Sequence, residues 1–295
     1  MDSKKKKSKL IDLGERGRYS PNNKMNELTG KEWVKFTKSW GIVNPKRRKE
    51  GTLLHPAKYP EELVKEFISF FTKEGDIVFD PFLGTGSTLV ASMESGRKGI
   101  GIELSEKYAK ISRERVENEL DCTQFVINED SNKIDGPTGE NIQKILSKLE
   151  SDSIDYIITS PPYWDMLKKS RGNIISAQKN HIKKGGDEYY SDKKEDLGNL
   201  KSYEEYMENL VAIFEKMHYL LKNKGYLTVV IQNIRVSEGN MIPVAWDLAM
   251  RLSKKYVLKQ EKLWLQDNKR LNCWGYPSTY VSNVHHHYCL VFQKC

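Results

Sequence analysis

Asp76-Ile77-Val78-Phe79-Asp80-Pro81-Phe82-Leu83-Gly84-Thr85-Gly86-Ser87-Thr88 is the stretch on which the fold turns. Ile77 to Phe79 is a short run of β-branched and aromatic side chains, which predicts a buried strand. The glycine-rich turn from Leu83 to Ser87 opens a helix that ends near Gly96. Glycines let the backbone approach a ligand there, and the unpaired N–H groups of the helix start can meet a carboxylate or phosphate. The Gly-Lys-Ser/Thr ending of a P-loop is missing, which disfavours phosphate-cradling ATPase chemistry. Lys98-Gly99-Ile100-Gly101-Ile102-Glu103 reads as the next strand, closed by an acid that can accept both hydroxyls of a ribose. On these residues alone a nicotinamide cofactor, another adenosine-containing cofactor and a structural turn all fit.

Outward from this stretch, strands and helices alternate. Pro60 to Phe71 reads as a helix with Pro at its start, and Ser105 can cap a helix running to about Leu120. Further strands are expected at Gln124–Ile127, Ile154–Thr159, Tyr226–Gln232, Leu258–Trp264 and His287–Phe292, with helices near 139–150, 203–222 and 241–254. Such alternation implies an α/β fold with a mostly parallel sheet covered on both faces. Asp165 to Asn199 has no sustained period, and its first half, Lys168 to Lys184, carries six Lys or Arg and no acid. A long loop beyond a strand end of a doubly wound sheet sits where ligands bind.

The whole chain has 295 residues and a formal net charge of +8. Residues 1–50 hold 15 Lys or Arg against 6 Asp or Glu, and the remainder is almost neutral. No run approaches the roughly 18 apolar residues of a membrane span, and the Met-Asp-Ser-Lys-Lys start lacks the apolar core of a secretory signal. Cys122, Cys273, Cys289 and Cys295 show neither metal-site nor disulfide spacing, so a reduced, cytoplasmic chain is the simplest reading. His285-His286-His287 in a strand would face alternate sides, without a cluster to complete a ligand set, and no metal is expected. Residues 1–25 read as a flexible basic tail. Residues 26–50, with Leu28, Trp33, Phe36 and Trp40 ahead of Lys46-Arg47-Arg48-Lys49, read as a short helix and turn that pack on the body.

The deciding motif is Thr159-Ser160-Pro161-Pro162-Tyr163, placed where a buried strand ends. Two prolines cannot continue a ladder and fix a rigid turn, holding main-chain carbonyls beside a hydroxyl and an aromatic ring. That set suits a planar ring held by stacking, its substituent hydrogen-bonded to Ser160 and a carbonyl.

Together with Asp80-Pro-Phe-Leu-Gly-Thr-Gly86, this motif resembles the paired signatures of S-adenosylmethionine-dependent DNA amino-methyltransferases, over most of residues 50–295. The resemblance implies a Rossmann-like doubly wound sheet with an antiparallel closing strand, the methyltransferase fold, over 51–295, with 165–199 as an inserted DNA-contacting loop. It implies S-adenosylmethionine as cofactor, held by His55, Pro56, Asp80, Phe82, Gly84, Gly86, Ser87, Glu103, Leu104, Asp130 and Ser131. Ser160, Pro161, Pro162 and Tyr163 would be catalytic, with Tyr163 stacked on a flipped-out base. Double-stranded DNA would be gripped by Lys46, Arg47, Arg48, Lys168, Lys169, Arg171, Lys179, Lys183 and Lys184, and a cognate restriction endonuclease is a conceivable partner. Within the family Ser-Pro-Pro-Tyr usually accompanies N4 methylation of cytosine and Asp- or Asn-Pro-Pro-Tyr N6 methylation of adenine, so Ser160 favours cytosine. Adenine or RNA as substrate, a DNA-binding protein without catalysis, and a dehydrogenase are the competing readings, and the last leaves Ser-Pro-Pro-Tyr unexplained. Trp274-Gly-Tyr-Pro-Ser-Thr-Tyr280 could serve sequence reading or the core.

Overall fold

A computed structural model describes residues 9–44, 59–117, 123–164, 196–235, 239–271, 273 and 275–295. The stretch 76–88 folds as its pattern dictates. Ile77–Asp80 (β4) is buried at every residue, and Ser87–Glu94 (α3) starts directly after the glycine turn. Gly86 has φ +85°, and a Cβ there would press on Ser112 at 3.1 Å, so both conformation and space call for glycine. Lys98–Ile102 (β5) and Gln124–Ile127 (β6) extend the sheet on one side of β4. Ile154–Thr159 (β7) and Leu221–Ile231 (β8) extend it on the other, all parallel. Ile234–Arg235 (β9) and Met241–Ile242 (β10) pair with each other apart from this sheet. His286–Lys294 (β12) pairs antiparallel with both β8 and Tyr256–Leu265 (β11). Trp40–Ile42 (β3) adds an edge strand parallel to β11. The eight-stranded order is therefore β3-β11-β12-β8-β7-β4-β5-β6, with β12 the one strand reversed, a Rossmann-like doubly wound sheet with an antiparallel closing strand.

Successive strand residues feed two core layers. Ile77, Phe79, Ile157, Val229, Ile231, Leu290 and Phe292 pack on one face, against the helices Pro137–Lys148 (α5), Tyr203–Lys216 (α6) and Val244–Leu252 (α7). Val78, Tyr156, Ile158, Val230, Cys289 and Val291 pack on the other, against Glu61–Phe71 (α2). α2 starts after Pro60 and buries Leu63, Val64, Phe67, Ile68, Phe70 and Phe71, the i, i+3, i+4 face of an amphipathic helix.

The N-terminal region corrects the expectation of a flexible tail through residue 25. Ile11–Asp12 (β1) and Arg18–Tyr19 (β2) form a small hairpin, and Asn26 donates to the Phe70 carbonyl at 2.6 Å. Gly30–Phe36 (α1) begins with a reciprocal capping box between Thr29 and Glu32. Phe36 stacks on Phe70 of α2 at 4.0 Å between centroids. Only residues 1–8 of that tail lie outside the described residues.

Boundaries shift where local chemistry intervenes. The helix expected over 203–222 stops at Lys216, because a 3-10 turn at Met217–Tyr219 leads into β8 at Leu221. The helix Glu106–Val116 (α4) has Ser105 at its N-cap, but the Ser105 hydroxyl makes no capping bond. Its backbone N–H is held by Glu103 instead, at 2.7 Å.

Candidate active site

The order of strands reverses between β4 and β7, where a doubly wound sheet leaves a crevice beyond the strand ends. A cavity lies there, with about 850 Å³ of empty space when its open mouth is included. Phe82, Gly84, Ser87, Glu103, Leu104, Asp130, Ser131, Ser160, Pro161 and Pro162, all singled out by sequence, line it together. Two motifs 73 or more residues apart thus meet because β4 and β7 are sheet neighbours.

The glycine turn is held from three sides. Leu83 N–H donates to the Ile102 carbonyl (2.8 Å), Gly84 N–H to Glu103 Oε2 (2.8 Å) and Ser112 Oγ to the Gly84 carbonyl (2.8 Å). Glu103 accepts from Ser105 through Oε1 and from Gly84 through Oε2, so each oxygen keeps a lone pair for a ligand hydroxyl. Burial pushes its pKa up to about 7, against the lowering effect of those two N–H donors. Asp130 caps the next turn through Asn132 N–H at 2.9 Å, and Ser131 Oγ donates to the Pro81 carbonyl at 2.5 Å.

Three of the expected site residues do not line the cavity. Asp80 is wholly buried, its carboxylate accepting from Tyr59 Oη (2.9 Å), Thr88 Oγ1 (2.5 Å), Thr159 Oγ1 (2.5 Å) and Phe82 N–H (2.9 Å). Burial raises its pKa while those donors oppose the rise. It joins β4, α3 and β7 behind the cavity and has no oxygen left over for a cofactor. Gly86 shapes the turn from behind, against Ser112. Tyr163 is 4% exposed, its ring 6.4 Å from that of His287. Its side chain belongs to the core layer that holds Ile157, Tyr206 and Val229. The turn is braced from α6: Tyr206 Oη donates to the Pro162 carbonyl (3.0 Å) and Trp164 Nε1 to the Leu200 carbonyl (3.1 Å).

His55, Pro56, Lys46, Arg47, Arg48, Lys168, Lys169, Arg171, Lys179, Lys183, Lys184 and Trp274 lie outside the described residues. The cavity also includes residues not marked by the motifs. Tyr59 directly precedes the helix expected to start at Pro60, Asp196 and Leu197 lie near the end of the long aperiodic stretch, and Tyr108 sits on the first turn of α4 with no local signal. Among the described residues no cluster of His, Cys, Asp and Glu could hold a metal ion. His287 is instead stacked on Trp264 at 4.4 Å, and its burial pushes the pKa down to about 3, a neutral core ring.

A family model for DNA methylases matches residues 2–114 and 154–295, which includes both turns of the cavity. The chain belongs to the N6/N4 DNA methylase family. The orphan methyltransferase M.BamHII of Bacillus amyloliquefaciens is 38% identical to this methylase over 108 residues, 36% of this chain and 39% of that one. The type II methyltransferase M2.DpnII of Streptococcus pneumoniae is 46% identical over 65 residues, 22% and 24% of the two chains. The methylase thus spans well under half the length of these relatives. Among solved structures, TrmN from Thermus thermophilus aligns with a TM-score of 0.46 and 12% identity over 80% of this chain and 48% of that one.

S-adenosylmethionine is the methyl donor of this family, and the cavity of the methylase fits it. Glu103 offers two acceptors for ribose hydroxyls at the end of β5. Glu103, Asp130 and Asp196 line the wall, and among the described lining residues there is no Lys, Arg or His. A cationic sulfonium and an ammonium suit that wall, whereas a dinucleotide's pyrophosphate would find no side-chain cation. Among the described residues no helix is long and apolar enough to cross a membrane.

Proposed function

We propose that the methylase transfers the methyl group of S-adenosylmethionine to the exocyclic N4 amine of cytosine in DNA. The reading is carried by one observation: one cavity brings together a wall lined by Glu103, Asp130 and Asp196, with no Lys, Arg or His among its described lining residues, and the Ser160-Pro161-Pro162 turn. The cofactor supplies an electrophilic methyl carbon. The acceptor amine is a weak nucleophile because its lone pair is delocalised into the ring. Ser160 Oγ and the Pro161 carbonyl accept hydrogen bonds from the amine, which favours a pyramidal nitrogen with its lone pair aimed along the line of transfer. Tyr163, buried directly after the turn, supports its backbone from the core side. Transfer would form the nitrogen–carbon bond as the sulfur–carbon bond breaks, giving S-adenosylhomocysteine, and the surplus amine proton would pass to solvent.

The target base reaches the cavity by flipping out of the duplex, at a cost of a few kcal/mol. Lys46, Arg47, Arg48 and the cations of Lys168 to Lys184 supply the phosphate grip. A cognate restriction endonuclease is the partner that would give such modification its use. The assignment to cytosine rests on Ser160 at the head of the motif, where an Asp or Asn would favour adenine.

Labelled S-adenosylmethionine incubated with the protein and mixed DNA, followed by digestion to nucleosides, is expected to give N4-methylcytosine. N6-methyladenine would transfer the reading to adenine, and no label in DNA would refute it. Ser160→Ala is expected to lose at least tenfold in turnover with cofactor binding intact, and Tyr163→Phe, which keeps the ring and removes only the hydroxyl, to lose less.

A further inference from the structure

The proposed reading leaves open what replaces a flipped base in the stack, and the connection between β11 and β12 offers an answer. β8 runs parallel to β7, and β12 runs antiparallel to both β8 and β11, so β11 ends and β12 begins at the sheet edge where β7 delivers Ser160. The described residues of 266–285 therefore leave the sheet at the same end as Ser160. Their base is pinned by Gln266 N–H to the His285 carbonyl (2.8 Å), Gln232 Nε2 to the His286 carbonyl (2.8 Å) and Arg235 to the Ser282 carbonyl. His287, one residue into β12, meets Tyr163 itself.

At the tip the backbone is closed on itself. Ser278 and Thr279 N–H both donate to the Gly275 carbonyl at 2.8 Å. Gly275 has φ +72°, and a Cβ there would lie 2.5 Å from the Thr279 carbonyl oxygen. This tight turn presents Tyr276 and Tyr280, 81% and 89% exposed, as the most exposed aromatic rings described in the protein. Exposed rings of this size on a fixed turn do not contribute to the core. The approach to them is cationic: Lys269 and Arg270 are exposed, and Asp267, the one acid of the segment, is engaged by Asn44 Nδ2 at 2.6 Å.

We infer that Tyr276 and Tyr280 form a stacking platform for DNA bases unstacked when the target flips, with Lys269 and Arg270 on the adjoining phosphates. The inference rests on the proposal that this methylase acts on DNA. Aromatic faces accept any base, so the platform contributes to holding the opened duplex more than to reading its sequence.

The test compares wild type, Tyr276→Ala/Tyr280→Ala and Tyr276→Phe/Tyr280→Phe on a mixed-sequence duplex DNA pool with labelled S-adenosylmethionine. Cofactor affinity by calorimetry and thermal unfolding are measured on the same samples. The double Ala variant is expected to lose at least tenfold in DNA labelling, with cofactor affinity and Tm unchanged, and the double Phe variant to stay within about threefold of wild type. Equal labelling by the Ala variant overturns the platform while the methylase reading stands. So does a loss matched by a fall in cofactor affinity, or a Phe variant as impaired as the Ala variant. A wild-type protein that labels no DNA overturns the methylase reading and the platform with it.

Discussion

Glu103 links acidity to cofactor binding. Its pKa of about 7 lies above the ordinary carboxylate value because it is buried, so the neutral form is favoured below that pH. The sign for stability follows: the group's contribution is full below the unfolded value near 4.5 and is lost as pH rises through about 7. Ribose hydroxyls donate to the carboxylate and favour the charged form, so binding has the opposite sign. Cofactor affinity is expected to weaken as pH falls below about 7, with proton release on binding near that pH. Calorimetry in two buffers of different ionisation enthalpy measures the release, and Glu103→Gln should abolish it. Asp80 is a stability residue by contrast. Asp80→Ala strands the Thr159 hydroxyl and the Phe82 N–H and leaves Tyr59 and Thr88 only each other, each unsatisfied buried donor costing about 1–3 kcal/mol, and a corresponding fall in the urea midpoint is expected.

At the scale of elements, the strands of the central sheet were legible because each carries a run of buried apolar residues between turn signals, as in Ile77–Asp80 and Ile154–Thr159. The cavity's turns were legible because glycine and proline punctuate strand ends at fixed places. What escaped was packing between distant segments. Trp40–Ile42 is a three-residue strand with no alternation long enough to mark it, and it exists only because β11 offers an edge. By motif Asp80 and Tyr163 belong to ligands, yet both side chains turn inward to partners that sequence separation conceals, Thr159 lying 79 residues from Asp80. Tyr108 entered the cavity through the docking of α4, which no local pattern announces.

For the whole molecule, the net charge of +8 is unevenly placed, and the described cofactor wall is acidic. The four lysines at positions 4–7 precede a hairpin whose following segment docks on α2. Deleting residues 1–8 is expected to weaken DNA affinity and to lower the slope of log affinity against log salt by about 0.9 for each phosphate that is no longer neutralised, with cofactor binding unchanged. Filter binding across a salt series measures it.

The short edge strand β3 also guards the protein against itself. Along β11, the part left uncovered, Val257 to Lys262, carries the exposed charges of Lys259 and Glu261, which discourage a neighbouring chain from pairing. The part that β3 covers is Leu263-Trp264-Leu265, which has none. Gly41 sits at the middle of that cover with open space where a Cβ would go, and a proline there would lose the N–H and place its ring carbon toward the paired strand, which weakens the pairing. Gly41→Pro should therefore leave the fold intact and turn the methylase into a chain that self-associates edge to edge, seen as light scattering that grows with concentration.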